Sequence, residues 1–304
     1  MSVILGIDGG GTNTRAVIER DGAVLGRAHG GSIKRLRVGA EAAEANLRTL
    51  LAEVYDISGV DRVDTATVGV ASATMPGVKE WISAVLEEFH VAKSEIVGDE
   101  VIALDGAFQG GPGILQIAGT GSNTIGRTAT GERESAGGWS STLGDEGSGY
   151  WLGLHAIRRS LKAYDQLKPT PVLERAAELW GTTTLDELVN VGNATPGPDF
   201  AALAPVIAEL AGEGDALCQG LLDQAAADLA EFVLLVRRKL RERHGLTDEV
   251  PIAWIGSVLG KIPGVLERFT ELLKAEAPLM EVATSEVNGV EGALWRARRL
   301  AEQG

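Results

Sequence analysis

A glycine-rich loop occurs twice in this chain, and this repeat constrains the fold more than any other feature of the sequence. Residues 9–14 read GGGTNT and residues 119–124 read GTGSNT, so both fit the pattern G-x-G-(S/T)-N-T. Each copy follows a short apolar run, residues 3–7 or 113–118, that is typical of a buried β-strand. The repeat predicts an internally duplicated chain of two compact α/β domains.

The first loop connects two strand-like runs. Residues 15–20 follow it and end at Asp21-Gly22, a strong hairpin signal. A dinucleotide-binding glycine loop must open a helix, so that class of site is excluded. Glycine N–H groups can instead converge on an anion, because no Cβ atom keeps the anion away. The residues alone leave two interpretations open, a phosphate-binding hairpin and an ordinary glycine-rich turn.

The two copies differ at the residue before the first glycine, which is Asp8 in one and Ala118 in the other. Two matched loops that face one another can hold a polyphosphate from both sides. A single carboxylate at Asp8 can then supply the charge for a metal ion. The repeat therefore predicts one polyphosphate site with an acid on one side only.

Composition excludes several classes of function. The formal net charge of −14 argues against a nucleic-acid partner. Cys218 is the only cysteine, which excludes an intramolecular disulfide and a cysteine-held zinc or iron–sulfur site. No run approaches the roughly 20 apolar residues that span a bilayer, and the N-terminus has no leader pattern. We therefore expect a cytoplasmic protein with no membrane partner.

Strand and helix patterns alternate in the first half of the chain. Three strands, then helix, strand, helix, strand and helix predict a mixed sheet with helices on both faces. In the second half, a helical insertion at about residues 150–245 interrupts the αβ pattern, and a strand is expected at residues 280–283. We expect an N-terminal domain at residues 1–117 and a C-terminal domain at residues 118–289. The closing helix, residues 290–304, is free to pack against the first domain.

Asp99 lies directly after a strand-like run at residues 95–97. The carboxyl ends of strands are where open α/β sheets bind ligands, so Asp99 is a candidate functional acid. A helix is also expected to start there, which leaves a helix N-cap as the alternative role. Asp105, later in the same segment, is expected to be a surface carboxylate.

Residues 137–151 contain five glycines, two tryptophans and the paired acids Asp145 and Glu146. Aromatic faces and carboxylates suit a carbohydrate, so this segment predicts a sugar pocket. Residues 251–261 end in a second kind of glycine turn, whose spacing does not match a Walker loop. That turn either lies against a nucleobase or simply joins a strand to a helix.

With these motifs, the chain resembles the sugar kinase, actin and Hsp70 superfamily. Within it, the chain resembles the N-acetylglucosamine kinase group of the BadF/BadG/BcrA/BcrD ATPase family. The resemblance runs nearly from end to end and rests on residues 8–12, 118–123 and 137–148, of which the last is the most specific. It implies an α/β fold of two ribonuclease-H-like (actin-like ATPase) domains around a nucleotide cleft. The implied cofactors are ATP and Mg²⁺, the implied partner is a small amino sugar, and a homodimer is compatible with it.

The resemblance also implies a role for each matching residue. Asp99 would be the catalytic acid, Asp8 would hold Mg²⁺ through water, and Asp145 would bind a sugar hydroxyl. The implied nucleotide-binding residues are Gly10, Gly11, Thr12, Asn13, Gly119, Thr120, Gly121, Ser122, Gly256 and Ser257. The implied sugar contacts besides Asp145 are Gly138, Trp139, Lys34 and Thr120.

Lys34 departs from the family, which has an asparagine at this place. It belongs to a basic cluster with Arg35 and Arg37 that is either a solvated loop or an anion contact. A cation here either favours a carboxylate-bearing sugar such as N-acetylmuramic acid or points outward. The resemblance implies ATP-dependent phosphorylation of the C6 hydroxyl of N-acetylglucosamine. Glucosamine and N-acetylmuramic acid remain alternative acceptors, and a sugar-independent actin-like ATPase or switch protein remains an alternative function.

Overall fold

The computed structural model describes residues 2–10, 13–71 and 73–303. The chain divides into two compact units. Unit 1 comprises Met1–Gly111 and Val287–Gly304, and unit 2 comprises Pro112–Glu286. None of the helices in the described ranges is both long enough and apolar enough to cross a membrane.

Unit 1 contains a five-stranded sheet with the order β3-β2-β1-β4-β5. Strands β1, β2 and β3 pair antiparallel, whereas β4 and β5 extend the sheet in parallel with β1. Its elements up to Gly111 are β1 (Val3–Gly9), β2 (Asn13–Arg20), β3 (Ala23–Gly31), α1 (Arg35–Val38), α2 (Ala40–Ser58), β4 (Val63–Val70), α3 (Val78–Glu88), β5 (Val91–Val97) and α4 (Asp99–Phe108).

Unit 2 contains a four-stranded sheet with the order β8-β7-β6-β9, in which only the β6–β9 pair is parallel. Its elements are β6 (Gly113–Ala118), β7 (Ser122–Arg127), β8 (Arg133–Gly137), α5 (Gly149–Asp165), α6 (Val172–Trp180), α7 (Leu185–Gly192), a 3₁₀ helix (Phe200–Leu203), α8 (Ala204–Gly212), α9 (Ala216–His244), β9 (Ile252–Ile255), α10 (Ser257–Lys261) and α11 (Val265–Glu276). The chain then returns to unit 1 as α12 (Gly289–Glu302).

Helices cover both faces of the unit 1 sheet, as the alternation of strands and helices predicts. Because successive strand residues point to opposite faces, Leu5 packs on the side of α2 while Ile4 packs on the side of α12. The α2 face is lined by Leu47, Leu50 and other fully buried residues. These two layers hold the carboxyl ends of β1, β4 and β5 at one edge of the sheet.

The predicted boundary between the domains is several residues too late. A break after residue 117 would assign β6 to the first domain, but β6 pairs with β7 and β9 in the unit 2 sheet. The chain leaves unit 1 between Gly111 and Pro112. The strand expected at residues 280–283 is reduced to a single bridge between Ile252 and Val282. Apolar patterning detected these runs, but only backbone pairing shows which sheet each one joins.

Two arginines of α12 form ion pairs with acids of unit 1. Arg296 bonds both Glu95 and Asp105, with 2.6 Å between its Nη1 and the Asp105 Oδ2. Arg298 bonds Glu19, which is almost fully buried. Asp105 has no exposed surface, so the expectation of a surface carboxylate is wrong. Its burial is explained by Arg296, a partner 191 residues away in the sequence.

Candidate active site

The carboxyl edge of the unit 1 sheet brings two acids together. One row of strand pairing runs from Arg15 to Asp8 to Gly69 to Val97, on β2, β1, β4 and β5 respectively. Asp99 lies two residues beyond that row, as the first residue of α4. The charge of Asp99 contributes to the raised pKa of Asp8, so the two carboxylates lie within electrostatic range of each other. This is the edge at which open α/β sheets bind ligands.

Asp8 is buried and forms an ion pair with Arg15, with 2.7 Å between its Oδ2 and the Arg15 Nη2. Burial raises the pKa of Asp8, and the charge and hydrogen bond of Arg15 oppose that rise. Sequence reasoning missed Arg15. The hairpin register could have identified it, because antiparallel pairing of β1 with β2 places Arg15 directly opposite Asp8.

A cavity of about 520 Å³ opens beside this ion pair. Its lining includes Asp8, Arg15 and two predicted nucleotide-binding residues, Gly10 and Asn13. The other two predicted residues of this loop, Gly11 and Thr12, lie outside the described residues. The cavity therefore combines one carboxylate, one cation and the accessible backbone of a glycine loop.

The donor set at this cavity fits Mg²⁺ bound mainly through water and phosphate. In the described ranges, no group of three or more His, Cys, Asp or Glu side chains could hold a metal. Mg²⁺ in phosphoryl-transfer sites keeps several waters and uses one or two carboxylates plus phosphate oxygens. Asp8 offers such a carboxylate at a cavity wall, and Arg15 bonds only one of its two oxygens.

The pKa of Asp99 is raised to about 7. Burial is the largest cause, followed by the charge and hydrogen bond of Glu100, whereas Lys34 lowers the pKa. The residue as a whole is half-buried rather than fully enclosed. Gly98 is the N-cap of α4, whereas Asp99 is its first residue, and the Asp99 Oδ1 accepts the N–H of its neighbour Glu100 at 3.1 Å. The alternative role of Asp99 as an N-cap is therefore wrong.

A general base with this pKa predicts a specific pH profile. Asp99 must be deprotonated to accept a proton, so we expect kcat/KM to fall about tenfold per pH unit below about pH 7 and to level off above it. Lys34→Met removes a cation that lowers the Asp99 pKa, so the falling limb should move to higher pH. Lys79→Met, an exposed lysine of α3, is the control. A pH–rate profile that is flat between pH 5 and 8 would contradict this role for Asp99.

Lys34 lies at the N-terminus of α1, close enough to Asp99 to act on its charge. Its ammonium makes no ion pair within the described ranges, whereas the neighbouring Arg35 is held by Glu44 and lies 4.6 Å over the Trp81 ring. Within the basic cluster, Arg35 therefore has a structural role, whereas the Lys34 ammonium is available to bind a ligand. An ammonium beside a carboxylate of raised pKa can meet an anionic group of a ligand.

In unit 2 the second glycine loop is fixed by the N-terminal end of α5. The N–H of Gly149 donates to Gly119 O at 2.8 Å, and the N–H of Tyr150 donates to Thr120 O at 3.1 Å. Ser122 Oγ donates to the carbonyl of Glu146 at 2.7 Å. The Thr120 side chain is exposed. The carbonyl groups of Gly119 and Thr120 therefore hold the second glycine loop in place, and the exposed Thr120 hydroxyl can donate to a ligand.

Gly256 occupies a position that only glycine can take. Its φ of 117° is disfavoured for other residues, and a Cβ there would lie 2.4 Å from Ala118 O and 2.8 Å from Gly119 N. The turn between β9 and α10 therefore lies directly against the second glycine loop. Ser257, the first residue of α10, is exposed beside it. Unit 2 thus brings Gly119, Gly256 and Ser257 into one local group.

The loop of residues 138–147 also reaches the second glycine loop. A Cβ at Gly121 would lie 2.9 Å from Asp145 Oδ2, and one at Gly138 would lie 3.0 Å from the Asn123 side chain. Asp145 adopts a left-handed φ of 58°, which is costly for a non-glycine residue. Trp139 is 75% exposed on the same loop. A strained acid and an exposed indole beside a glycine loop are features of a binding surface.

The sequence of this chain matches one protein family over nearly its whole length. Residues 5–297 match the BadF/BadG/BcrA/BcrD ATPase family. The chain belongs to that family. The chain is 27% identical over 305 residues to the N-acetylmuramic acid/N-acetylglucosamine kinase of Clostridium acetobutylicum, covering 98% of this chain and 99% of that protein. It is 30% identical over 257 residues to the N-acetyl-D-glucosamine kinase of Dictyostelium discoideum, covering 78% and 80% of the two chains.

Solved structures of related proteins share the fold of this family member. A structure from Chromobacterium violaceum, described as a candidate N-acetylglucosamine kinase, superposes with a TM-score of 0.74 at 26% identity and covers 97% of this chain and 98% of that chain. A ROK family glucokinase from Streptomyces griseus, solved with glucose and AMPPNP, has a TM-score of 0.60 at 18% identity and covers 99% and 100%. The expected two-domain, actin-like α/β fold is confirmed.

Proposed function

We propose that this chain transfers the γ-phosphoryl group of ATP to a hydroxyl of an amino sugar, with N-acetylglucosamine and its C6 hydroxyl as the first assignment. The observation that carries the proposal is Asp99, a half-buried acid with a pKa of about 7 at the carboxyl edge of the unit 1 sheet. A base whose pKa lies near the working pH is suited to accept a hydroxyl proton. Membership of an ATPase family and the names of the kinase relatives support the same reaction.

Each residue group has a defined part in this mechanism. Asp99 accepts the proton of the acceptor hydroxyl as that oxygen attacks phosphorus. Asp8 would hold Mg²⁺, and the ion would supply charge neutralisation at the phosphates. The backbone of Gly10 and the hydroxyl of Thr120 donate to phosphate oxygens, and Asp145 orients the sugar through its hydroxyls. Phosphoryl transfer needs positioning and charge stabilisation more than covalent chemistry, so residues of this kind suffice.

Lys34 bears on which sugar is the acceptor. Lys34 favours an acceptor that carries a carboxylate, because its ammonium has no ion-pair partner in the described residues and lies near Asp99. N-acetylmuramic acid is such a sugar, and the C. acetobutylicum relative is named for both sugars. We therefore propose that the chain accepts N-acetylmuramic acid as well as N-acetylglucosamine.

A panel of acceptors tests both levels of the proposal. Glucose, glucosamine, N-acetylglucosamine and N-acetylmuramic acid are each incubated with ATP and Mg²⁺, and ADP is measured together with the sugar phosphate. We expect the two N-acetylated sugars to give the highest kcat/KM. If ADP formation is the same with every sugar and without any, the kinase assignment fails and a sugar-independent ATPase is favoured.

Lys34→Met separates acceptor recognition from catalysis. We expect kcat/KM for N-acetylmuramic acid to fall about 10- to 100-fold relative to that for N-acetylglucosamine, because a hydrogen bond to a charged group is lost. Any effect of the substitution on Asp99 acts on both sugars and cancels in the ratio. Lys79→Met is the matched control. An unchanged ratio would show that Lys34 does not bind the carboxylate.

A further inference from the structure

A second large cavity lies within unit 2, beside the loop that carries Asp145. Its volume is about 510 Å³, which is within the range of small-molecule sites. The walls come from α5, α7, the 3₁₀ helix and the loop of residues 141–146. Residues 141–144, 146, 150 and 151 of the predicted sugar-pocket segment line it, but none of the described residues that have an individual nucleotide or sugar role does. The cavity is therefore not explained by the kinase mechanism.

The cavity presents both apolar rings and hydrogen-bonding groups. Tyr150 packs edge-on against Phe200, with 5.2 Å between the ring centroids, and both line the cavity. His155 stacks on Trp151, and its Nδ1 lies 3.0 Å from Trp151 O, so Nδ1 carries the proton. Burial lowers the pKa of His155, which keeps the ring neutral and leaves Nε2 as an acceptor. Rings and hydroxyl-accepting atoms together suit a polyhydroxylated ring.

One charge of each sign also lines this cavity. Arg158 is exposed at its wall and makes no ion pair within the described part of the chain. Glu146 supplies the carboxylate. Burial is the main cause of the raised pKa of Asp228, and the charge of Glu146 adds to it. A cation and an anion at one ring-lined cavity complement a ligand that carries an anionic group and an ammonium. An amino sugar phosphate has both charges and the ring.

The same loop forms a wall of this cavity and carries Asp145. Ser141, Thr142 and Gly144 line the cavity, and Asp145 follows directly with its carboxylate against the second glycine loop. Ser140 and Asp145 both have left-handed backbone angles, with φ of 89° and 58°. A ligand that contacts residues 141–146 therefore changes the freedom of the segment that holds Asp145.

We propose that this cavity is a second binding site for an amino sugar phosphate, and that its occupancy sets the position of the loop that carries Asp145. Arg158 binds the phosphate, Glu146 binds the ammonium, and His155 Nε2 accepts from a ring hydroxyl. The proposal of a binding site depends only on the residues that line the cavity. Its consequence at Asp145 rests on the proposed function, because only that function gives Asp145 a substrate to hold. The chemical class is that of a phosphorylated amino sugar, so the site senses the kind of product that a glucosamine kinase releases.

Isothermal titration of the full chain with glucosamine 6-phosphate tests the site. We expect Arg158→Gln to weaken binding about 10-fold or more, because a charge-assisted contact to phosphate is lost. Arg159→Gln is the matched control, since Arg159 is the next residue of α5, is also exposed and does not line the cavity. Glucose 6-phosphate, which lacks the ammonium, should bind to the wild type more weakly than glucosamine 6-phosphate does. Its affinity should be the same for Glu146→Gln as for the wild type.

Two results would overturn the site. One is the absence of measurable binding of glucosamine 6-phosphate to the wild-type chain. The other is binding that Arg158→Gln leaves unchanged, because the probe would then occupy a different place. The coupling is tested separately in the kinase assay, where glucosamine 6-phosphate should change the KM of the acceptor in wild type and not in Arg158→Gln. Probe binding without kinase activity would retain the site and reject the proposed function.

Discussion

Asp99→Asn should lower kcat by about 10²- to 10⁴-fold, which is the usual contribution of a positioned general base. Asparagine keeps the size of the side chain and cannot accept the hydroxyl proton. The affinity for ATP should change little, because the residues proposed to bind the nucleotide lie in the two glycine loops and at Gly256 and Ser257. The measurement is steady-state turnover with N-acetylglucosamine, together with a nucleotide titration of the same variant.

The control for Asp99→Asn is Asp61→Asn, an exposed acid of the loop before β4. It should leave both turnover and nucleotide binding unchanged. Turnover by Asp99→Asn within a factor of a few of wild type would remove Asp99 from the mechanism. A parallel loss of nucleotide affinity and turnover would point to disturbed folding of α4, because Asp99 is its first residue.

Arg296→Met should destabilise unit 1 by about 3–5 kcal/mol, because it removes the cation that pairs with a buried carboxylate. Asp105 has no exposed surface, and the Arg296 side chain is only 19% exposed. The same guanidinium also bonds Glu95, so one substitution breaks two ion pairs of α12. Urea unfolding followed by circular dichroism gives the free energy of unfolding.

A double substitution separates the cost of an unpaired charge from the cost of lost packing. Arg296→Met with Asp105→Leu should recover much of the stability, because apolar replacement of a whole buried pair is often neutral. Arg48→Met is the surface control: Arg48 pairs with Glu44 and Glu88 in solvent, and its loss should have little effect. An Arg296→Met variant as stable as Arg48→Met would show that the pair of Arg296 with Asp105 contributes little to stability.

The sequence predicted most of the architecture because the relevant signals are local. Short apolar runs, the hairpin signal Asp21-Gly22 and helical spacing are properties of neighbouring residues, and the strands and helices of unit 1 follow them. Membership of β6 in the second sheet and the burial of Asp105 depend on partners far along the chain. No local pattern contains that information, so these two expectations failed.

Some residues of the candidate site could likewise be predicted from local sequence signals, and others could not. Residue type and strand ends identified Asp8 and Asp99, and the structure places both at one sheet edge. Arg15 was missed because an arginine in a strand has no distinctive spacing, and only the register with Asp8 reveals its role. The raised pKa of Asp99 depends on burial and on Glu100, which sequence alone does not give. The roles of Gly11 and Thr12 stay predictions, since they lie outside the described residues.

In the proposed function, this chain couples the cleavage of ATP to the phosphorylation of an amino sugar. The most direct test is ³¹P NMR of the purified chain with ATP, Mg²⁺ and N-acetylglucosamine, which resolves ADP, inorganic phosphate and the sugar phosphate. We predict equal amounts of ADP and sugar 6-phosphate, with little inorganic phosphate. ADP that appears with inorganic phosphate alone, at a rate that ignores the sugar, would contradict the claim.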